Sequence, residues 1–475
     1  MRVADAFGDF QTPRELAEQI WRAVETEHLD LVVEPTVGVG AFLATVPPAV
    51  RQVPWLAFDI NPDYVMQSRN IAETYAIPAR IETEDAFALS PSDFPRLEGR
   101  TVLAIGNPPW ITSAGQSGLP GTNLPTKANR FGLRGLDAIT GKANFDIAES
   151  ILLKVVDALR CAKEVRMAFL IKRSVALKMA RDLLGSPGLL DASFRRVDAR
   201  KWFGASVEAG LLQLRFVPAE SGATSTISLG PDLIHAPTEH AGIVDGRFVF
   251  DVPTYRQSRM IEANVGGRLE WRQGVKHDAA RVLVLTMDEL GRVKNGLGEH
   301  VDIEEEVLHP FFKSSDLAAG RSPRHLFPLY QHNLAGPLDH LDVRWPKLSS
   351  YLRAHRDLLA SRGSSIYRGK PDYMLFGVGD YSLAPWKVAI SGFYKTPRFS
   401  VLGPNRRGLP PLVDDTCYLL PFRTAESAQD TADYLNSPQV RDFLASIADT
   451  TAKRPYTKEI LGRIANPSAP LRLAV

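Results

Sequence analysis

The chain has 475 residues, too many for one ordinary hydrophobic core, so two domains are expected. Its 44% hydrophobic and 23% charged residues are those of a soluble globular protein. No window reaches the ~18 uninterrupted apolar residues of a membrane span, and the N-terminal stretch MRVADAFGDFQTPRE carries early acids instead of an apolar signal core. A net charge of +2 excludes a nonspecific polycation, although local basic clusters can still serve nucleic acid. The only cysteines, Cys161 and Cys417, stand far apart and outside any CxxC or Cys/His cluster. A reducing, cytoplasmic compartment and no metal site are expected.

The first part alternates strands and helices. Leu29–Val33 is a short β-branched run ending at Glu34 and a Gly-rich turn, and Pro54–Phe58 is a second ending at Asp59. A helix is expected over Asp63–Tyr75. Thr101–Ile105 is a third run, closed by Gly106-Asn107-Pro108-Pro109. A helix over Phe145–Leu159 leads to strands over Val165–Ile171 and Gly210–Phe216. This alternation predicts a Rossmann-like, doubly wound α/β sheet, mostly parallel, in which ligands bind at the carboxyl ends of the strands. The polar and Gly/Pro-containing segments fall at those ends. Ser221–Thr226 reads as the start of a linker, after which short strands, turns and a few helices, such as Ala425–Ala445, predict a second, α+β domain.

The turn Glu34-Pro35-Thr36-Val37-Gly38-Val39-Gly40-Ala41-Phe42 allows close backbone approach to a ligand. A plain βα turn is the alternative reading. Position 43 is Leu, so the third glycine of a dinucleotide fingerprint is missing. An acid at the strand end disfavours pyrophosphate and suits a cationic or hydroxyl-bearing group. Asp59, beside Ile60 and 19 residues beyond Gly40, stands where a carboxylate accepts both hydroxyls of a ribose. Asp85 can accept from an adenine amine while Phe87 packs on its ring. Either acid alone also reads as a helix N-cap.

Asn107-Pro108-Pro109-Trp110 carries the chemistry. An aromatic amine is a poor nucleophile because its lone pair is delocalised into the ring. A side-chain oxygen on Asn107 and the Pro108 carbonyl, aimed at the two amine hydrogens, draw the nitrogen toward tetrahedral geometry. Pro108 and Pro109 hold these acceptors rigidly, and Trp110 offers a face for a base. A rigid structural turn is the competing reading.

In order and spacing these motifs resemble the gamma-type adenine-N6 DNA methyltransferases of bacterial restriction–modification systems. The likeness covers residues 10 to about 216. It implies that Phe10, Thr12 and Pro13 fold over the methionine part of S-adenosylmethionine. It further implies that Glu34, Gly38, Gly40, Phe42, Asp59, Ile60, Asp85, Phe87 and Asn107 line the rest of the cofactor, and that Asn107–Trp110 are catalytic. A flipped base would stack between Trp110 and a second aromatic in Lys201–Val207, for which Phe203 is preferred over Trp202. The resemblance divides the chain into a catalytic domain, residues 1–220, and a target-recognition domain, residues 221–475, with double-stranded DNA between them. His309–Asp316, Ala384–Lys387 and Tyr434–Ser437 carry the weaker likeness of the second domain. Two departures are Trp at the catalytic aromatic, where Tyr or Phe is commoner, and a long connection over residues 112–142.

Lys127, Arg130 and Arg134 in that connection, Lys313, and the pair Lys453–Arg454 are candidate phosphate contacts; a surface excursion is the alternative for the first three and a solvated face for the pair. Methylation of an RNA base or of a protein glutamine amide remains an alternative, as does a cofactor-binding module without catalysis. Any restriction or defence partner would be a separate polypeptide, and the sequence leaves monomer or dimer open.

Overall fold

Strands β1 (Leu31–Glu34), β2 (Trp55–Asp59), β3 (Ala79–Thr83), β4 (Thr101–Gly106) and β5 (Glu164–Lys172) lie in the order β3-β2-β1-β4-β5, all parallel. The computed structural model describes residues 10–94, 96–110, 146–263, 267–331 and 341–467. Chain order reverses between β1 and β4, the place where a doubly wound sheet leaves a crevice.

Helices cover both faces: α1 (Arg14–Ala23), α2 (Ala41–Ala44), α3 (Pro62–Thr74), α4 (Ile147–Ala158), α5 (Arg173–Leu183) and α6 (Ala199–Phe203). Their starts carry local signals. Asn61 caps α3 by accepting from Asp63 N at 2.9 Å, with Pro62 as its first residue. Asp146 and Asp198 cap α4 and α6 in the same way. Alternate strand residues point to opposite sides. Val33, Val102 and Ala104 join one apolar layer with Ile151 and Leu152 of α4. Val32, Leu103 and Ile105 join the other with Leu16 and Ile20 of α1.

Beyond β5 the sheet continues where the sequence suggested a linker. Strand β7 (Ala209–Phe216) inserts antiparallel between β5 and β6 (Leu189–Val197). Strands β8 (Thr226–Gly230), β9 (Glu239–Val244) and β10 (Arg247–Val249) then extend the sheet to ten strands. Residues 221–226 are tied along β6, with Gly188 N donating to Gly222 O and Thr224 N to Leu189 O. The chain accordingly divides into units Met1–Val252 and Pro253–Val475, later than the expected break near residue 220.

The second unit holds a four-stranded sheet over Arg272–Gln273, Trp386–Ser391, Ser400–Leu402 and Cys417–Phe422, and a three-stranded sheet over Leu308–Phe312, His325–Pro328 and Leu412–Val413. The single helix expected over Ala425–Ala445 is two, Ala425–Leu435 and Pro438–Ile447, because Ser437 caps a new helix at Pro438. Lys387 is wholly buried, and its Nζ donates to the carbonyls of Ser382 and Ala384. Burial pushes it down to about 7, and its role is to fasten the segment before its own strand.

Candidate active site

The glycine loop after β1 is fastened by its neighbours. Gly38 N donates to Asp59 Oδ2 at 2.9 Å, Val39 N to Gln11 Oε1 at 3.0 Å, and Ser68 Oγ to Gly38 O at 2.9 Å. Gly38 and Gly40 adopt φ of +52° and +81°, and a Cβ on Gly38 would stand 2.5 Å from Gln11 Oε1. Both positions therefore require glycine.

Three acids follow at strand ends, in different states. Glu34 is buried, and its Oε2 has no partner among the described residues. Burial, with Asp59 nearby, pushes its carboxyl well above the usual range. Asp59 is buried too and accepts from Gly38 N and Asn61 N, each at 2.9 Å. Asp85 accepts from Phe87 N at 2.9 Å, which fixes Phe87 against the apolar layer that contains α4. Ile60 is 60% exposed, so its apolar side chain stands free to cover a planar group. Phe42 is 1% exposed and packs edge-on to Trp21, so its ring builds the core under the loop.

At the end of β4, Asn107 uses both amide hydrogens on the segment before α1. Nδ2 donates to Phe10 O at 2.7 Å and to Thr12 Oγ1 at 3.2 Å. A carbonyl such as Phe10 O can only accept, so the nitrogen must face it and the oxygen must face away. That oxygen, Asn107 Oδ1, is buried without a partner among the described residues, and so is Thr36 Oγ1. The first unit thus places orphaned polar atoms of Glu34, Thr36 and Asn107 at or just beyond the ends of β1 and β4. Buried polar groups unmatched by protein are satisfied by ordered water or by a polar ligand.

Trp110 is 6% exposed, and its Nε1 donates to Leu170 O at 3.1 Å. Phe10, Trp110 and Phe203 form one cluster, with ring centroids 5.0 Å apart for Trp110–Phe203, 5.4 Å for Phe10–Trp110 and 5.7 Å for Phe10–Phe203. Phe203, the preferred partner, therefore meets Trp110, while Trp202 lies under the Lys201 ammonium at 4.4 Å. The Trp110 and Phe203 planes cross at 69°, an edge-on contact of the two rings. Sequence reasoning also passed over Gln11 as a loop fastener, and Lys172, which pairs with Asp146 and donates to Trp110 O at 3.4 Å. The one sequence signal for Lys172 is a lysine closing an apolar strand.

The second unit brings together basic residues that are distant in sequence. An open cleft of about 440 Å³ is lined by Lys313, Ser314, Phe393, Tyr394, Asp414 and Thr416. Arg454 and Lys453 stand 4.7 and 5.9 Å from the Phe393 ring centroid. Lys127, Arg130 and Arg134 lie outside the described residues.

A doubly wound sheet bearing a glycine loop at β1 and an Asn-Pro-Pro-aromatic turn at β4 defines a methyltransferase. No protein-family model matches the chain. The type II methyltransferase M.NspV from Nostoc sp. (strain ATCC 29411 / PCC 7524) is 33% identical over 471 residues, 96% of each chain. The chain therefore belongs to the type II methyltransferases, the DNA-modifying class of restriction–modification systems. Among solved structures, the type IIL restriction-modification enzyme MmeI in complex with DNA superposes with a TM-score of 0.58 at 10% identity. That match covers 97% of this chain and 65% of the MmeI chain, and it reflects the fold. Among the described residues no helix is long and apolar enough to cross a membrane, and no group of His, Cys, Asp and Glu is arranged to hold a metal.

Proposed function

We propose that this methyltransferase transfers the methyl group of S-adenosylmethionine to the exocyclic amine of adenine in double-stranded DNA, acting on a base turned out of the duplex. The orphaned Asn107 Oδ1 carries this reading. It is a buried acceptor without a partner among the described residues, fixed in direction by two donations from its own nitrogen. With the Pro108 carbonyl it offers two acceptors to an NH2 group, and a planar amine has two hydrogens to give. Gripping both favours the pyramidal nitrogen of the transition state over the planar ground state.

The residues around the glycine loop fit the cofactor. The Glu34 carboxyl, whose Oε2 has no partner among the described residues, suits a cationic amine; Asp59, at the end of the next strand, suits ribose hydroxyls, and Ile60 and Phe87 offer apolar cover for an adenine ring. When bound, the cofactor supplies an electrophilic sulfonium methyl, so the protein needs no strong base or covalent intermediate; its work is positioning. Trp110 and Phe203 provide the stacking surfaces once their rings part, each base contact being worth about 1–3 kcal/mol. That offsets the few kcal/mol of unstacking.

In the second unit, we assign Lys313, Lys453 and Arg454 to phosphate contacts, with Phe393 and Tyr394 as the apolar floor of the same cleft. Lys127, Arg130 and Arg134 remain proposed contacts of the same kind. The purified chain, given labelled cofactor and duplex DNA, should incorporate methyl groups into DNA and not into RNA or protein. Labelling of RNA or protein alone would reject the reading.

A further inference from the structure

Lys172 closes an apolar strand, yet its side chain retains only 15% exposure. An ammonium enclosed to that degree needs partners. Strand register supplies them. Gly106, the last residue of β4, pairs with Phe169, so Leu170–Lys172 overrun β4 and pass beside the catalytic turn. Two hydrogen bonds join this overhang to Trp110. The indole Nε1 donates to the Leu170 carbonyl, and Lys172 Nζ donates to the Trp110 carbonyl at 3.4 Å. The same ammonium pairs with Asp146, whose side chain is 10% exposed and caps α4. Trp110 is thereby held at ring and backbone by one strand end, whereas Phe203 meets it through a ring contact from the short helix α6.

We propose that Lys172 is a positioning residue for methyl transfer: its ammonium, neutralised by Asp146, fixes the Trp110 carbonyl and with it the plane of the ring on which the target base stacks. The proposal rests on the reading that the base stacks on Trp110. A donor-rich cation is required here because the carbonyl and the carboxylate are both acceptors. An apolar side chain would satisfy neither, and Trp110 would lose its backbone anchor on this strand end while keeping the indole bond. The ring could then tilt while remaining buried, which slows chemistry without weakening the cofactor site at β1.

Lys172→Met alone would strand a buried carboxylate and destabilise the fold for that reason. The informative variant is Asp146→Asn with Lys172→Met, in which Asn preserves the helix cap and no charge is left unpaired. For this paired variant, kcat should fall by about tenfold or more, the loss expected for one positioning hydrogen bond. KM for DNA, cofactor affinity and melting temperature should stay near wild type. In duplex carrying 2-aminopurine at the target position, emission should rise as stacking loosens. Lys172→Arg should recover much of kcat. A paired variant turning over at the wild-type rate overturns the proposal. So does one that loses cofactor affinity and stability in step with kcat. Trp110→Ala separates the two layers of the argument: wild-type turnover there rejects stacking on Trp110, while slow turnover there with an unimpaired paired variant rejects Lys172 alone.

Discussion

The carbonyl of Phe10 and the side chain of Asn107, 97 residues apart in sequence, are joined by a 2.7 Å hydrogen bond. With the second donation to Thr12, this bond fixes the direction of the buried Asn107 Oδ1. In the proposed function, the segment before α1 thereby sets which atom of Asn107 is offered to the substrate amine.

Asn107→Ala should lower kcat by about 10²–10³-fold, the range seen when one preorganised polar group is removed from a transition state. Cofactor affinity should stay close to wild type. Thr12→Val should be milder. It removes the longer of the two anchors, a net effect of about 0.5–1.5 kcal/mol, and so a few-fold to about tenfold fall in kcat. Single-turnover kinetics with equilibrium cofactor binding separates the two quantities.

Glu34 couples cofactor binding to pH. Burial, reinforced by Asp59, raises its carboxyl well above the usual range. In the unfolded chain it ionises at the ordinary carboxyl value, so the ligand-free fold loses stability as pH rises from that value toward the raised one. Binding a cationic group should expel the proton, so cofactor affinity should increase with pH through the same window. Glu34→Gln should abolish that increase and weaken binding, while the ligand-free melting temperature near neutral pH does not fall. Calorimetry across buffers of differing ionisation heat would register the released proton.

Basic residues at the second-unit cleft should govern salt dependence. Removing one side chain that neutralises a phosphate lowers the slope of log affinity against log salt by about 0.9. Lys313→Ala and Arg454→Ala should each flatten the slope by roughly that amount, with no change in cofactor affinity. Arg454→Ala also removes a cation from the Phe393 face. Binding titrations between low and physiological salt measure this directly, and an unchanged slope would remove these residues from the DNA surface.

The sequence made some of this legible for physical reasons. Strands β1, β2, β4 and β5 are apolar runs with buried residues on both faces, and they read as such. Strand β3 (Ala-Arg-Ile-Glu-Thr) buries only Ile81, and β6 carries Asp191, Arg195 and Arg196, so neither has an apolar run to betray it. Strands β8–β10 pass through Thr, Gly and His residues that resemble linker. The Asn107 turn was readable because its chemistry is local to four residues. The Lys172–Trp110 hydrogen bond was not, since it depends on how far β5 overruns β4. Likewise Lys313, Phe393 and Arg454 meet only through tertiary folding. The packing of Phe42 against Trp21 was equally hidden, since the two rings meet only through tertiary folding.

The central claim, that Asn107 and Pro108 grip an exocyclic adenine amine, is tested most directly by digesting DNA methylated by the purified chain and identifying the modified nucleoside by mass spectrometry. N6-methyladenine, formed about 10²–10³-fold more slowly by Asn107→Ala, is the predicted result. Methyl groups on another base, or N6-methyladenine formed equally well by Asn107→Ala, would contradict it.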